Sequence, residues 1–168
     1  MFPDFANDPR NVRLGLANDG FNPFGAKSLS YSMWPVVLIS YNMPPWKSMV
    51  DDSFMLTLLI PGRDSPGKDI DVFLRPLVDE LKLLWDKGVE TYDCESKQIF
   101  NMCAALLWTI NDFPAYGYLS GWSTSGYKAC LICNEDASSI RLRDRIEYVG
   151  HRRFLPLDHS WRKARDFN

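Results

Sequence analysis

The sequence contains only two histidines, His151 and His159, and both follow the tetrapeptide Cys130-Leu131-Ile132-Cys133 within 26 residues. Two thiolates on a tight knuckle and two imidazoles would complete a structural Zn²⁺ tetrahedron. The spacing Cys-x2-Cys-x17-His-x7-His is looser than that of a standard zinc finger, and the plainer reading is a pair of thiols in a surface loop. A thioredoxin-like redox role needs the pair to open a helix after a strand. The glycine- and serine-rich stretch from Ser120 to Tyr127 argues against it. Cys94 and Cys103 read as bystanders, with Cys103 expected in the core.

A second group is acidic. Asp19 and Asp112 each follow an apolar, strand-like run, in Asn18-Asp19-Gly20 and Asn111-Asp112-Phe113-Pro114. Taken singly, each is a turn or cap residue. If the two runs are parallel neighbours, both carboxylates leave the same end of one sheet. Hard cations such as Mg²⁺ or Mn²⁺ choose such oxygens. A pair of them about 3.5–4 Å apart serves phosphodiester displacement. The third group is the basic tail: Arg141, Arg143, Arg145, Arg152, Arg153, Arg162, Lys163 and Arg165. Arginine outnumbers lysine seven to one there, which suits bidentate contact with phosphate. Tyr148, Phe154 and Trp161 interleave with it as possible stacking platforms. A solvated face that balances the acidic body is the alternative. No phosphate-binding G-x-x-x-x-G-K-[ST] loop and no G-x-S-x-G elbow is present.

These residues depend on the elements that carry them. Val12–Ala17 alternates with period two and predicts a strand that stops at Asn-Asp-Gly. Trp34–Tyr41 and Phe54–Ile60 are nearly continuous apolar runs, as expected of strands covered on both faces. From Ile70 to Trp85 apolar residues recur every three or four positions, which predicts a helix capped by Gly88, and Pro76 means that its regular part either begins near Leu74 or kinks at the proline. Glu90–Gln98 reads as a polar link, and Met102–Ile110 as a buried fourth strand. Short links make the first three strands an antiparallel meander, and the helix can cross over to a fourth strand parallel to the first.

At 168 residues, 46% apolar and 24% charged, the chain is of single-domain size and excludes wholesale disorder. Residues 1–140 carry a net charge of −6 and residues 141–165 a net +5, so nucleic acid would meet the tail and not the body. No apolar run is long enough to span a membrane, and Met1-Phe2-Pro3-Asp4-Phe5 has no signal-peptide character. Four cysteines are too few for a disulfide scaffold, and an intracellular setting is the expectation.

Leu16–Phe24, Tyr31–Val36, Leu56–Gly62, Ser65–Leu77, Trp108–Ala115, Gly126–Cys130 and Gly150–Pro156 resemble, in order, the transposase of plant CACTA (En/Spm-like) elements, family tnp2. The similarity runs from about Arg10 to Trp161. It implies an α/β, RNase H-like fold with a DDE/D triad that cuts and joins DNA using two divalent metals. Asp19 matches the first acid, in D-G-F-N-P, and Asp112 the second, in N-D-F-P-A. A zinc-binding insertion matches Cys130, Cys133 and His151, and His159 less closely. On this reading residues 10–117 are the first half of the catalytic domain and 118–168 an arginine-rich zinc segment. The third acid would lie beyond the insertion, outside these residues. The expectation is therefore a transposase fragment, inactive alone, acting on DNA in the nucleus, with no membrane partner. A non-catalytic, zinc-dependent fragment that binds nucleic acid or protein is the alternative. A third is a half-sheet whose exposed edge prevents stable folding.

Overall fold

The computed structural model describes residues 2–25, 31–130, 132–149 and 155–163. The chain divides into two compact units, Met1–Leu119 and Ser120–Asn168.

The first unit is mixed α/β. A short helix α1 (Pro3–Asn7) leads into β1 (Val12–Asn18). Then come β2 (Trp34–Ser40), the single turn α2 (Pro45–Ser48) and β3 (Phe54–Ile60). Helix α3 (Ile70–Asp86) follows, then β4 (Val89–Asp93), β5 (Gln98–Met102), β6 (Ala104–Asn111) and α4 (Phe113–Ser120). The main sheet has the order β3-β2-β1-β6. Its first three strands are an antiparallel meander, and β6 returns parallel to β1, as the pattern of links predicts.

One face of this sheet packs on α3. Leu14 and Leu16 of β1, Trp34, Val36 and Leu38 of β2, Ile60 of β3 and Ala104 of β6 meet Ile70 and Leu74 of α3 and Ala115 of α4. Ile70 and Val36 are wholly buried. Burial of each contributes about 1.5–3 kcal/mol. Pro76 neither starts nor interrupts α3, which runs continuously from Ile70 to Asp86. Proline has no N–H for the Val72 carbonyl, but Val72 is 72% exposed, so water can replace that bond. Gly88 caps the helix at φ +69°, donating to the Leu83 carbonyl at 3.2 Å. A side chain would be strained in that left-handed conformation.

Two expectations are corrected. The supposed polar link after α3 is a β-hairpin, β4 paired with β5 from Val89↔Met102 to Asp93↔Gln98. Nor are the apolar strands covered on both faces. Leu56 of β3 is 61% exposed, Trp108 of β6 51% and Ile110 47%. Their apolar character signals a face without cover among the described residues. There Trp108 donates its indole N–H to the Tyr41 hydroxyl at 3.1 Å.

A surface ion pair ties the start of β1 to the hairpin. Arg10 holds Asp8 through Nε and Nη2, at 2.9 and 2.7 Å, and reaches Asp93 at 3.3 Å. The guanidinium pulls the Asp8 carboxyl down to about 2. Asp93 is also lowered, first by the Ser96 hydroxyl and then by the Glu95 N–H.

The second unit contains a small antiparallel hairpin, β7 (Ser139–Arg141) and β8 (Ile146–Tyr148), and one turn of helix, α5 (Ser160–Lys163). No helix among the described residues is long and apolar enough to cross a membrane.

Candidate metal centre and basic hairpin

The register of β1 and β6 decides where the acids stand. Val12 lies opposite Ala104 and Leu14 opposite Leu106, but Gly15 lies opposite Trp108, so Leu107 is an extra residue in β6. Without that bulge Asn18 would face Ile110. With it, Asn18 faces Asn111. Because side chains alternate along a strand, a shift of one residue exchanges the faces. The bulge therefore aligns two Asn-Asp pairs, Asn18-Asp19 and Asn111-Asp112, at the same end of parallel neighbours. Strands so paired lie about 4.8 Å apart.

The four residues share an open cleft of about 360 Å³ with Ala17, Pro35, Val37 and Ile110. Asp19 accepts the Gly20 N–H on Oδ1 at 2.7 Å. Asp112 precedes α4, and its Oδ1 accepts the Ala115 N–H at 2.8 Å, the geometry of a helix N-cap. The turn and cap roles expected of single acids are thus both present. In each case the bond engages a single carboxylate oxygen, Oδ1.

Beneath the cleft, on the α3 side of the sheet, lies a further feature that sequence reasoning missed. Asn18 is only 3% exposed, and neither Oδ1 nor Nδ2 of its amide has a hydrogen-bond partner. Oδ1 of Asn111 is likewise buried and unpartnered. A buried polar group left unpaired costs about 1–3 kcal/mol. Such groups are uncommon in native proteins and gather where function needs them. Two carboxylates are hard oxygen donors, the chemistry that Mg²⁺ and Mn²⁺ select. The donor set fits a divalent cation. Among the described residues, no cluster of three or more His, Cys, Asp or Glu side chains is placed to hold a metal ion.

In the second unit, Cys133 donates its backbone N–H to Cys130 Sγ at 3.4 Å, and Asn134 donates to the Cys130 carbonyl at 2.8 Å. The turn thus brings one amide N–H, that of Cys133, to the first sulfur, an arrangement that suits a thiolate ligand. His151 lies outside the described residues, as do Arg152, Arg153 and Arg165. His159 is described and is not gathered with the cysteines into a metal-holding group. Its Nδ1 accepts the Trp161 N–H at 3.2 Å, at the start of α5. That bond engages Nδ1 and leaves Nε2 as the ring nitrogen open to a metal.

Arg141 ends β7, while Arg143 and Arg145 stand in the hairpin turn, closed by the Leu142 N–H donating to the Arg145 carbonyl at 2.8 Å. All three are exposed, and none belongs to an ion pair among the described residues. With Tyr127, Asp144 and Ile146 they line a groove of about 450 Å³. Arg162 lies in α5 and donates to the Leu155 carbonyl at 3.3 Å, and Lys163 ends that helix. Tyr148 has a structural task. Its hydroxyl donates to the Gly126 carbonyl and accepts the Ala129 N–H at 2.9 Å, which fastens the hairpin beside the Cys130 turn. The aromatic facing the arginines is Tyr127, and only the folded hairpin reveals it.

The family model described as "Transposase family tnp2" matches residues 1–168. No curated protein and no solved structure shows a significant match to the chain. With the whole of its length matched, the chain belongs to the tnp2 family of transposases.

Proposed function

We propose that the first unit carries two acids of a DDE/D centre on an RNase H-like sheet, in a transposase of the plant CACTA (En/Spm-like) type. The observation that carries this reading is the Asn18↔Asn111 register, after which Asp19 and Asp112 leave the same sheet end. A meander followed by a helical crossover to a parallel strand supports it.

Asp19 and Asp112 would hold Mg²⁺ or Mn²⁺, with their carboxylate oxygens not engaged in the turn and the cap directed to the cation. The bound metal would supply Lewis-acid stabilisation of the charge that develops as a DNA strand is cut and joined. The cap on Ala115 fixes the Asp112 rotamer, and the turn at Gly20 fixes that of Asp19. Both acids are thus oriented before the metal arrives. Two-metal chemistry requires a further acid, and none joins this pair among the described residues. The chain alone should therefore bind the metal without turnover. Nuclear residence follows from the substrate.

Supercoiled plasmid incubated with the chain and Mn²⁺ should show no nicking above background. Nicking that disappears in Asp19→Asn plus Asp112→Asn would prove that two carboxylates suffice. Nicking that survives the same double variant would remove these acids from the chemistry.

A second reading concerns the second unit: a zinc-stabilised module that binds nucleic acid. The Cys130 turn and the three exposed arginines, which have no ion pair among the described residues, favour it. One Zn²⁺ per chain is expected by metal analysis, lost in Cys130→Ser. DNA binding should weaken with salt, and Arg143→Ala should lower the slope of log K against log[salt] by about 1. An unchanged slope would assign Arg143 to solvent alone.

A further inference from the structure

The second unit gives Tyr127 a setting that its place in the sequence does not suggest. In the β7–β8 ladder Ser139 lies opposite Tyr148 and Arg141 opposite Ile146. Cross-strand partners share a face, and so do residues two apart along a strand. Ser139, Arg141, Ile146 and Tyr148 therefore stand on one side of the hairpin. That side meets the segment 126–129: the Ser139 hydroxyl donates to the Tyr127 carbonyl at 2.7 Å, and the Tyr148 hydroxyl bonds Gly126 and Ala129. Main-chain bonds thus hold the backbone at and around Tyr127, while its side chain is 49% exposed. The ring lines the groove of about 450 Å³ together with Arg141, Ile146 and the turn residues Arg143 and Asp144. Arg145 lines it too, but it closes the turn opposite Leu142, at the other parity, and is assigned no role.

We propose that this groove takes single-stranded DNA, with one unpaired base against the Tyr127 ring and Ile146 and the flanking phosphates on Arg141 and Arg143. The proposal rests on the nucleic-acid reading of the second unit and specifies its ligand as an unpaired strand. Clefts that bury a small ligand measure roughly 300–1,000 Å³, so the groove is of the size for a nucleotide and not for a double helix. A duplex keeps its bases stacked and paired and shows a protein only their edges. An unpaired strand presents base faces, which stack on tyrosine whatever the sequence. The guanidinium groups match phosphate oxygens two at a time. Asp144 lines the groove as well and offsets part of their charge, so binding depends on the ring as much as on the arginines. DNA is the strand expected of a chain in a transposase family.

The test reads the fluorescence anisotropy of a labelled DNA strand of about 12 nucleotides, alone and annealed to its complement, against the 168-residue chain. The single strand should bind about tenfold more tightly than the duplex. Tyr127→Ala should weaken single-strand binding about tenfold, within the range for loss of one base–aromatic stack, and leave duplex binding unchanged. Tyr127→Phe keeps the ring and should bind as wild type does. The Ser139 bond goes to the main-chain carbonyl of Tyr127, so both variants retain it and the hairpin should fold in each. Salt separates the ring from the arginines. Arg141→Ala should lower the slope of log K against log[salt] by about 0.7, whereas Tyr127→Ala should shift log K at every salt concentration without changing the slope. Tighter binding of the duplex, or single-strand binding unchanged in Tyr127→Ala, overturns the stacking site and leaves the basic hairpin as a phosphate-binding surface. Binding that is absent or indifferent to salt overturns both.

Discussion

Asp19→Asn and Asp112→Asn should each weaken Mn²⁺ binding at least tenfold, and the double variant should bind none at millimolar metal. Two unit charges 4 Å apart interact by about 4 kcal/mol at a dielectric suited to a protein surface, and competing water reduces this. A remaining 1.4 kcal/mol already gives the factor of ten. Asparagine is the informative replacement because it separates charge from geometry. At position 112 it keeps an oxygen for the Ala115 N–H, and asparagine is as good an N-cap as aspartate. α4 should therefore stay in place, and Tm should change little. Asp112→Ala, by contrast, removes cap and ligand together and should cost about 1 kcal/mol of stability as well. Isothermal titration with Mn²⁺ beside a thermal melt distinguishes these effects. If Asp19→Asn binds as wild type does, Asp19 is only the turn residue that Asn-Asp-Gly suggests by itself.

Much of the first unit is legible in the sequence because its signals are local. The runs at 12–17, 34–41 and 54–60 become β1, β2 and β3 within about a residue, and the stripe from Ile70 becomes α3. The β4–β5 hairpin is hidden for a physical reason. Its turn has no Gly-Asn or Asp-Gly signature, and Lys97 takes the left-handed conformation at φ 57° that such residues usually supply. Helix α4 is masked although its start signals are present, Asp112 as cap and Pro114 in the first turn. Gly117 inside it suggests a loop instead.

The site divides along the same line. The two acids and the cysteine pair are visible as motifs, but their geometry is not. Whether Asp19 and Asp112 are neighbours depends on one extra residue in β6, and no periodicity announces a bulge. The repeated Asn-Asp pair can be read in the sequence, yet it acquires meaning only when the register sets Asn18 opposite Asn111. Burial without a hydrogen bond is a tertiary property that composition cannot reveal. Tyr127 is concealed for the same reason, since its place beside Arg141 and Arg145 comes from chain folding and not from spacing.

Gly20→Ala should damage both fold and site, although the backbone there is not reserved for glycine by conformation. A Cβ at position 20 would lie 2.4 Å from Cε2 and 2.6 Å from Cζ2 of Trp34. That ring has no room to retreat. It is 5% exposed, its Nε1–H donates to the Ser32 hydroxyl at 2.7 Å, and it packs on Tyr118 at 5.5 Å between centroids. On the other side the chain is pinned by Phe21, which exchanges backbone hydrogen bonds of 2.9 Å with Met33. The added methyl must push the backbone at 19–20 away from the ring, and Asp19 moves with it. Overpacking of this kind costs about 1–3 kcal/mol, a fall in Tm of about 5 °C for a chain of this size. Mn²⁺ affinity should fall with it, because a displaced Asp19 no longer faces Asp112. Trp34→Phe removes the atoms that the methyl meets. In the Gly20→Ala background it should therefore cost less than it does alone, by about 1 kcal/mol or more in a double-mutant cycle. Strict additivity would mean that the methyl is accommodated elsewhere and that Gly20 does not set the position of the first acid.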